Sequence, residues 1–322
     1  MNVASFLTDG IERLGLRFVR VNLLPTGTLT LFVIALVNSG APGTAPDWHR
    51  LMRAMQALDT LNSAAIGLLI VIVALALEAL QTPIVRMFEG YWGAGRLAGY
   101  LGGIRARHWR KKREKLRKLS YSENPADKHS ILHADQKLQA EFPSHDRVLP
   151  TRLGNILRAA EDSAGQRYGL QTVALWPRLY PFIGVTLQAA LGDVRDRLDM
   201  ALRWVFYLLI GAIVSAALLA QHHYWLTLPA ALSLLALGAY LSACLAAKSY
   251  GVLLATAFDL HRFDMLRAMR LPLPQNESEE KTTGQALSAF LTGQKNSHGL
   301  PYTTDTGAKP ANENTALSGG DD

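Results

Sequence analysis

Apolar runs at residues 21–42, 62–80, 204–221 and 224–247 alternate with polar segments along the chain. The last two runs are joined across His222 and His223 alone, and each is long enough to cross about 30 Å of hydrocarbon as a helix. So short a connection predicts an antiparallel transmembrane hairpin, and the first two runs predict another. We therefore expect an all-α membrane protein with four transmembrane helices in two hairpins and a helical cytoplasmic domain.

The polar segments complete a division of the chain into seven parts. These are an N-terminal amphipathic segment (1–20), transmembrane hairpin 1 (21–82), an interfacial and polybasic segment (83–118), a cytoplasmic helical domain (119–202), transmembrane hairpin 2 (203–247), a cytoplasmic helical extension (248–292) and a disordered tail (293–322). Lys and Arg lie mainly before the first run, between the second and third, and after the fourth. The positive-inside rule therefore places both termini and the central region in the cytoplasm.

The basic character of the protein is local. Residues 105–118 hold nine Lys/Arg and one Glu, which exceeds the formal net charge of +7 for the whole chain. A glycine-rich stretch with aromatic residues at 88, 91, 92 and 100 leads into this run, and such aromatics favour the headgroup level of a membrane. Since each cation near an anionic surface contributes ~1 kcal/mol, we expect lipid-headgroup contacts. The residues concerned are Arg105, Arg107, Arg110, Lys111, Lys112, Arg113 and Lys115.

Two other interpretations of the basic run stay open. Nucleic-acid phosphates would bind the same side chains, but lipid is favoured because the run is tethered next to a membrane. Anchoring of the topology alone, without specific lipid contact, is an equally good interpretation.

Residues 150–181 are the most distinctive polar stretch. Leu153, Ile156, Leu157 and Ala160 form one apolar helical stripe, with Thr151 as the expected N-cap. Arg158 has the spacing to pair with the acidic residues three and four positions later. The Trp-Pro and Tyr-Pro steps at 176–177 and 180–181 predict extended or turned backbone. The polar and aromatic positions form a predicted partner surface: Arg152, Arg158, Glu161, Asp162, Arg167, Trp176 and Arg178.

This stretch resembles a segment of uncharacterised bacterial multi-span membrane proteins in which PTRLGN, LRAAED, RYGL and WPRL occur in that order. All four motifs are present here between residues 150 and 179. The resemblance implies the architecture, and it implies no activity and no site.

Two sets of positions predict helix packing near the second hairpin. Leu187, Leu191, Val194 and Leu198 step by 4, 3 and 4, which is typical of a core-facing helix running into the third span; an oligomer contact is the alternative. In the fourth span the small residues at 238, 242 and 246 would let helices approach closely. We expect them to close the hairpin, with a second subunit as the alternative.

Few residues suggest a metal-binding, proton-sensing or catalytic site. His129 and His133 share a helical face, as metal ligands require, but two ligands are weak evidence and no third is near, so neither a metal nor another cofactor is predicted. His261 is expected to be a core histidine, with proton sensing as the alternative. Glu78, near the end of its apolar run, is interpreted as an interfacial residue. No phosphate loop or nucleophile motif is found, and we predict no catalytic residue.

These observations favour a non-enzymatic, membrane-anchored interaction or signal-responsive module in the bacterial inner membrane. The alternative is an oligomeric channel or membrane-disrupting effector gated by its cytoplasmic domain. An enzyme acting at the lipid surface ranks last. The predicted partners are anionic membrane lipids, a cytoplasmic protein and a second copy of the chain, whereas nucleic acid is disfavoured.

Overall fold

The computed structural model describes residues 19–41, 43–93, 95–121, 128–294 and 300, and this part of the chain is helical without strands. In chain order the α-helices are α1 (Leu24–Asn38), α2 (Trp48–Gln56), α3 (Thr60–Glu78), α4 (Gln81–Glu89), α5 (Arg96–Ser120), α6 (Lys128–Glu141), α7 (Arg152–Ala164), α8 (Thr172–Leu179), α9 (Val185–Leu218), α10 (Thr227–Ala268) and α11 (Glu277–Leu291). The amphipathic N-terminal segment and most of the tail predicted from the sequence lie outside the described residues.

Among the described residues, three helical segments are long and apolar enough to cross a membrane: α3, α9, and α10 with the short turn that precedes it. The remaining predicted span, residues 21–42, corresponds to α1, which is a shorter apolar helix of 15 residues. A π-helical turn, Val19–Leu23, comes directly before it, and Pro25, which has no N–H to donate, stands in its first turn. Length and composition therefore support three spans, and α1 differs from them in length.

Local sequence explains where α3 begins and why it is exposed. Asp59 accepts a hydrogen bond from the backbone N–H of Asn62 at 2.8 Å and so caps the helix. Of the α3 side chains only that of Ala74 is buried, while Leu61, Leu68, Leu69, Ile72 and Leu75 are exposed. An apolar helix with its side chains turned outward is what a lipid-facing span requires.

The chain divides into two compact units, Met1–Ser163 with Val185–Leu254, and Ala164–Gly184 with Ala255–Asp322. In the first unit, α1 packs against α3 and α9. The Thr26 hydroxyl donates to the Tyr207 hydroxyl at 2.8 Å, and both side chains are buried. The division into hairpins and cytoplasmic parts that the sequence predicts stays a prediction.

The core of the first unit joins α7 to α9 and α10. Leu153, Ile156 and Leu157 of the predicted stripe pack with Leu198 and with residues of α10. The seam residues Leu191, Val194 and Leu198 are buried, so the core-facing interpretation of that helix is confirmed. At its far end α7 lies so close to α10 that a Cβ on Gly251 would be 2.8 Å from Ala160.

Two sequence-based expectations are corrected. Phe88, expected at the headgroup level, packs against this core, because α4 buries Ile84 and Val85 on the same face. Gly238 does not close the second hairpin, since a Cβ placed there would meet nothing within 4 Å. The small residues that follow it on α10 line a groove, described below.

The second unit contains α8, α11 and the end of α10. Its buried side chains include Leu175, Phe258, Met265 and Leu287. Pro177 lies inside α8, so the expectation of extended backbone at the Trp-Pro step is wrong. The fully buried leucines of α8 offset the local preference of the residue before proline, which is an example of tertiary packing deciding a backbone state.

Candidate functional site

The PTRLGN segment forms the entrance to α7 and is held by its own side chains. The Thr151 hydroxyl accepts from the N–H of Gly154 at 3.1 Å, which confirms the predicted N-cap, and donates to the carbonyl of Glu89 at 2.8 Å. Asn155 is fully buried. Its amide accepts from the N–H of Leu149 at 2.7 Å and donates to the carbonyls of Leu149 and Thr151. The turn at 149–151 is therefore fixed by hydrogen bonds on both sides.

Two glycines allow this segment to touch the end of α4. A Cβ on Gly154 would lie 1.9 Å from the carbonyl oxygen of Glu89, closer than atoms can approach. Gly90 ends α4 in the left-handed region at φ +99°, and a Cβ there would be 2.9 Å from Pro150 Cδ. Only glycine fits at either position, so the contact between α4 and α7 is backbone against backbone.

The basic helix α5 contacts the same segment through one buried residue. Trp109 donates from Nε1 to the carbonyl of Pro150 at 3.0 Å, and its ring lies 5.9 Å from that of Phe142. Arg113, on the same face one turn later, donates from Nε to the carbonyl of Pro143 at 2.9 Å. This face of α5 is therefore committed to intramolecular packing.

The opposite face of α5 is exposed and changes character along its length. Leu97, Leu101 and Ile104 step by 4 and 3, and all three are exposed. Lys111 and Lys115 continue the same row at steps of 7 and 4 and are also exposed. One face is thus apolar in its first half and cationic in its second half.

The predicted headgroup contacts separate into two groups on this helix. Arg105, Arg107, Lys111, Lys112 and Lys115 are exposed. Arg110 and Arg113 are half-buried on the packed side. Lys112 lies 4.7 Å over the ring of Trp109.

A buried carboxylate connects α6, α7 and α10. Glu141, the last residue of α6, is 3% exposed. It accepts two hydrogen bonds from Arg152, at 2.7 and 3.2 Å, and one from Lys248 at 2.6 Å. Burial opposes its ionisation, but the hydrogen bonds from the two cations outweigh burial and hold the pKa of Glu141 below its ordinary value. Of the three, only Arg152 belongs to the partner surface predicted from the sequence, because residues this far apart in the chain leave no local pattern.

Other members of the predicted partner surface are tied into a second ion network. Arg147 pairs with Glu161 at 3.3 Å and with Asp162. Arg158 donates to the carbonyl of Arg147 at 2.8 Å and lies 5.5 Å over the ring of Tyr91. The expected pairing of Arg158 with the two acidic residues is therefore wrong, since both carboxylates bind an arginine from the preceding loop.

The remaining members of that surface belong to the second unit. Arg167 is exposed, Arg178 donates to the carbonyl of Ala174 at 2.8 Å, and the ring of Trp176 packs 6.4 Å from that of Phe258. The seven residues thus fall in different units, four in the first and three in the second.

Arg262 organises the polar contacts of the second unit. Its guanidinium lies 4.0 Å over the ring of Tyr168 and pairs with Glu280 at 2.5 Å. Tyr168 donates to Asp259 at 2.6 Å, and burial together with this hydrogen bond raises the pKa of the phenol. Neighbouring His261 is half-buried, with Nδ1 3.4 Å from the carboxylate of Asp264.

His129 and His133 are both exposed on α6. In the part of the chain that the structure describes, no group of three or more His, Cys, Asp or Glu side chains could hold a metal ion. No family model matches the chain, and comparisons with curated proteins and with solved structures returned no match.

Proposed function

We propose that this chain is an integral protein of the bacterial inner membrane with four transmembrane helices in two hairpins and both termini in the cytoplasm. Three spans rest on helix length and composition. The remaining span, α1, is supported by its outward-facing apolar residues Leu24, Leu31 and Val37 and by its packing on α3 and α9. Placing the basic helix in the cytoplasm follows from the positive-inside rule.

Its proposed role is that of a non-enzymatic, membrane-anchored interaction module that responds to the charge of the inner leaflet. The observation that carries this proposal is the two-sided character of α5. Its exposed face presents apolar residues followed by lysines, which suits a helix lying at the boundary between acyl chains and anionic headgroups. Its buried face holds Pro150 through Trp109. Attachment of α5 to the membrane would therefore restrain the turn that begins α7.

The proposed partners, whose binding would respond to that restraint, are a cytoplasmic protein or a second copy of this chain. The half-exposed residues of the Arg147 network lie on α7 and the loop before it, where a change in α5 would reach them. Nucleic acid is not proposed, because the cations of α5 sit directly after an exposed apolar row.

A spin label on α5 tests this role. Ile104→Cys is prepared in a Cys244→Ala background, since Cys244 is the only native cysteine. The labelled protein is compared in phosphatidylcholine vesicles with and without phosphatidylglycerol. In the anionic vesicles we expect the label to become less accessible to a water-soluble nickel chelate and more accessible to oxygen.

Matched charge variants show whether the lysines cause the change. Removing two surface cations with Lys111→Gln and Lys115→Gln should weaken the attachment roughly 30-fold at ~1 kcal/mol each. Lys128→Gln with Lys137→Gln removes the same charge from α6 and should leave the label in the membrane. A label equally exposed to water in both vesicle types would refute the proposed response.

The channel alternative is weaker on one specific point. The exposed residues of α3 include Leu61, Leu68, Ile72 and Leu75, which suit lipid better than a hydrated lumen. Ion flux through vesicles containing the purified protein, together with the mass of the purified particle, tests this alternative directly.

A further inference from the structure

The first unit contains a groove on the surface of the predicted second hairpin. Its cavity volume is about 620 Å³, and it lies between α9 and α10. The lining runs from Val194 to Leu208 on one helix and from Leu235 to Ser249 on the other. Since each stretch covers four turns, the groove is roughly 21 Å long at a rise of 1.5 Å per residue.

Small side chains on α10 create this space. Ala239, Ser242 and Ala246 line the groove at steps of 3 and 4, so short side chains make up most of the α10 wall, beside Leu235 and Leu245. Trp204 and Leu208 of α9 form much of the opposite wall. The middle of the groove is therefore apolar and open at its side.

One end of the groove is cationic. Arg197 lines it there and is exposed. Its Nε donates to the backbone carbonyl of Asp193 at 3.3 Å, one turn earlier, which orients the guanidinium without neutralising its charge. Because α10 stays uncharged through Ala247, the end marked by Arg197 and Ser249 corresponds to the cytoplasmic boundary of the span.

We propose that this groove binds an anionic phospholipid, with an acyl chain along Trp204 and Ala239 and the phosphate at Arg197. The proposal rests on the membrane embedding proposed above. A transmembrane helix from a second copy would also fit the small residues, and the test below distinguishes it from a lipid. A lipid brings a charge of the opposite sign to that end.

The apolar interior of the bilayer also determines which part of a lipid the site can discriminate. An acyl chain leaving bulk lipid for an apolar groove gains no hydrophobic free energy, because both surroundings are apolar. Selectivity must come from the headgroup, where one cation contributes ~1 kcal/mol, or about a fivefold preference for an anionic lipid. Chain length is expected to matter less than headgroup charge.

Fluorescence quenching by brominated acyl chains tests the site in the full-length protein. The vesicles are phosphatidylcholine containing a small, increasing fraction of brominated phosphatidylglycerol or brominated phosphatidylcholine. The contribution of Trp204 is obtained by difference from Trp204→Phe. We expect this contribution to be quenched at about fivefold lower mole fraction of the anionic lipid than of the zwitterionic one.

Three variants separate the headgroup contact from the groove. Arg197→Gln should abolish the preference for the anionic lipid while quenching persists. Ala246→Leu and, independently, Ser242→Leu fill the groove and should reduce quenching by both lipids. Arg53→Gln removes a cation on α2, outside the groove, and should change nothing.

Each contrary result has a distinct meaning. If both lipids quench Trp204 simply in proportion to their mole fraction in the vesicle, the proposed lipid site is wrong, while the membrane embedding is unaffected. Protection of Trp204 from both lipids, with Ser242→Cys cross-linking between copies, shows that a second copy occupies the groove. Absence of quenching from every tryptophan overturns the embedding itself, and with it the proposed function.

Discussion

Replacing Glu141 by glutamine should destabilise the protein through the two cations that it leaves behind. The substitution keeps the shape of the side chain and removes its negative charge. Arg152 and Lys248 then lose the carboxylate that accepts three hydrogen bonds from them. Because these residues belong to α6, α7 and α10, the loss loosens three helices at one point.

The size of the effect follows from the burial of each partner. Removing one partner of a fully buried ion pair costs ~3–5 kcal/mol, because the remaining charge stays buried without compensation. Here the carboxylate side chain is 3% exposed, but those of Arg152 and Lys248 are 31% and 33% exposed and can recover part of their hydration. The expected loss is therefore smaller, about 2–3 kcal/mol. For a unit of 150–250 residues this lowers the thermal midpoint by roughly 4–12 °C.

Thermal denaturation of the purified protein in detergent measures the effect, and pH supplies an independent check. The folded-state pKa of Glu141 lies below its ordinary value of 4.5, so the ionised carboxylate favours folding at any pH above 4.5. This contribution is lost as the pH falls below 4.5 and passes through the lowered pKa. The difference in thermal midpoint between the native chain and Glu141→Gln should be largest at neutral pH and should disappear in acid.

Glu161→Gln is the matched control. Its carboxylate side chain is 38% exposed and pairs with Arg147, which is 39% exposed, so its removal should cost ~0–1 kcal/mol. Equal midpoints for Glu141→Gln and Glu161→Gln, or a Glu141→Gln gap that persists unchanged in acid, would show that the buried carboxylate does not connect the helices in this way.

Three further predictions concern the same contacts and the second unit. Gly154→Ala should lower the thermal midpoint strongly, because its Cβ would meet the carbonyl oxygen of Glu89 at 1.9 Å, whereas Gly192→Ala has open space and should be neutral or stabilising. Asn155→Leu leaves backbone groups of the 149–151 turn unsatisfied, at ~1–3 kcal/mol each, and should speed amide exchange there; unchanged exchange would contradict the role given to this side chain. Arg262→Gln removes the ion pair to α11 and the stacked guanidinium, so amide exchange across that helix should rise, and a native exchange pattern would count against it.

Sequence alone predicts the spans and the stripe of α7 because both are local properties. A run of apolar residues needs no partner to be recognised, and a 3.6-residue period marks the face that Leu153 and Ile156 bury. The N-cap at Thr151 is local for the same reason, since donor and acceptor lie three residues apart.

The contacts that define the site could not be predicted in this way. Glu141 and Lys248 are separated by 107 positions, and a single glutamate at the end of a polar helix is typical of any exposed helix. The pairing of Arg158 was predicted wrongly because helical spacing shows which residues can meet, but not that Arg147 from the preceding loop competes for both carboxylates. The helical state of Pro177 likewise depends on packing that the local sequence does not encode.

The proposed response of α5 to lipid depends on the rigidity of the segment that leads into α7. Trp109 holds the Pro150 carbonyl, Asn155 bonds both sides of the turn that follows, and Gly154 leaves no room between α7 and the carbonyl of Glu89. A displacement of α5 cannot be absorbed by sliding within this segment, since each residue already has a fixed hydrogen-bond partner or a backbone in contact. It must either break these bonds or move the start of α7, where Arg152 is connected through Glu141 to Lys248 in the middle of α10. The proposed lipid-responsive module requires such a rigid connection between α5 and a helix that is long and apolar enough to cross a membrane.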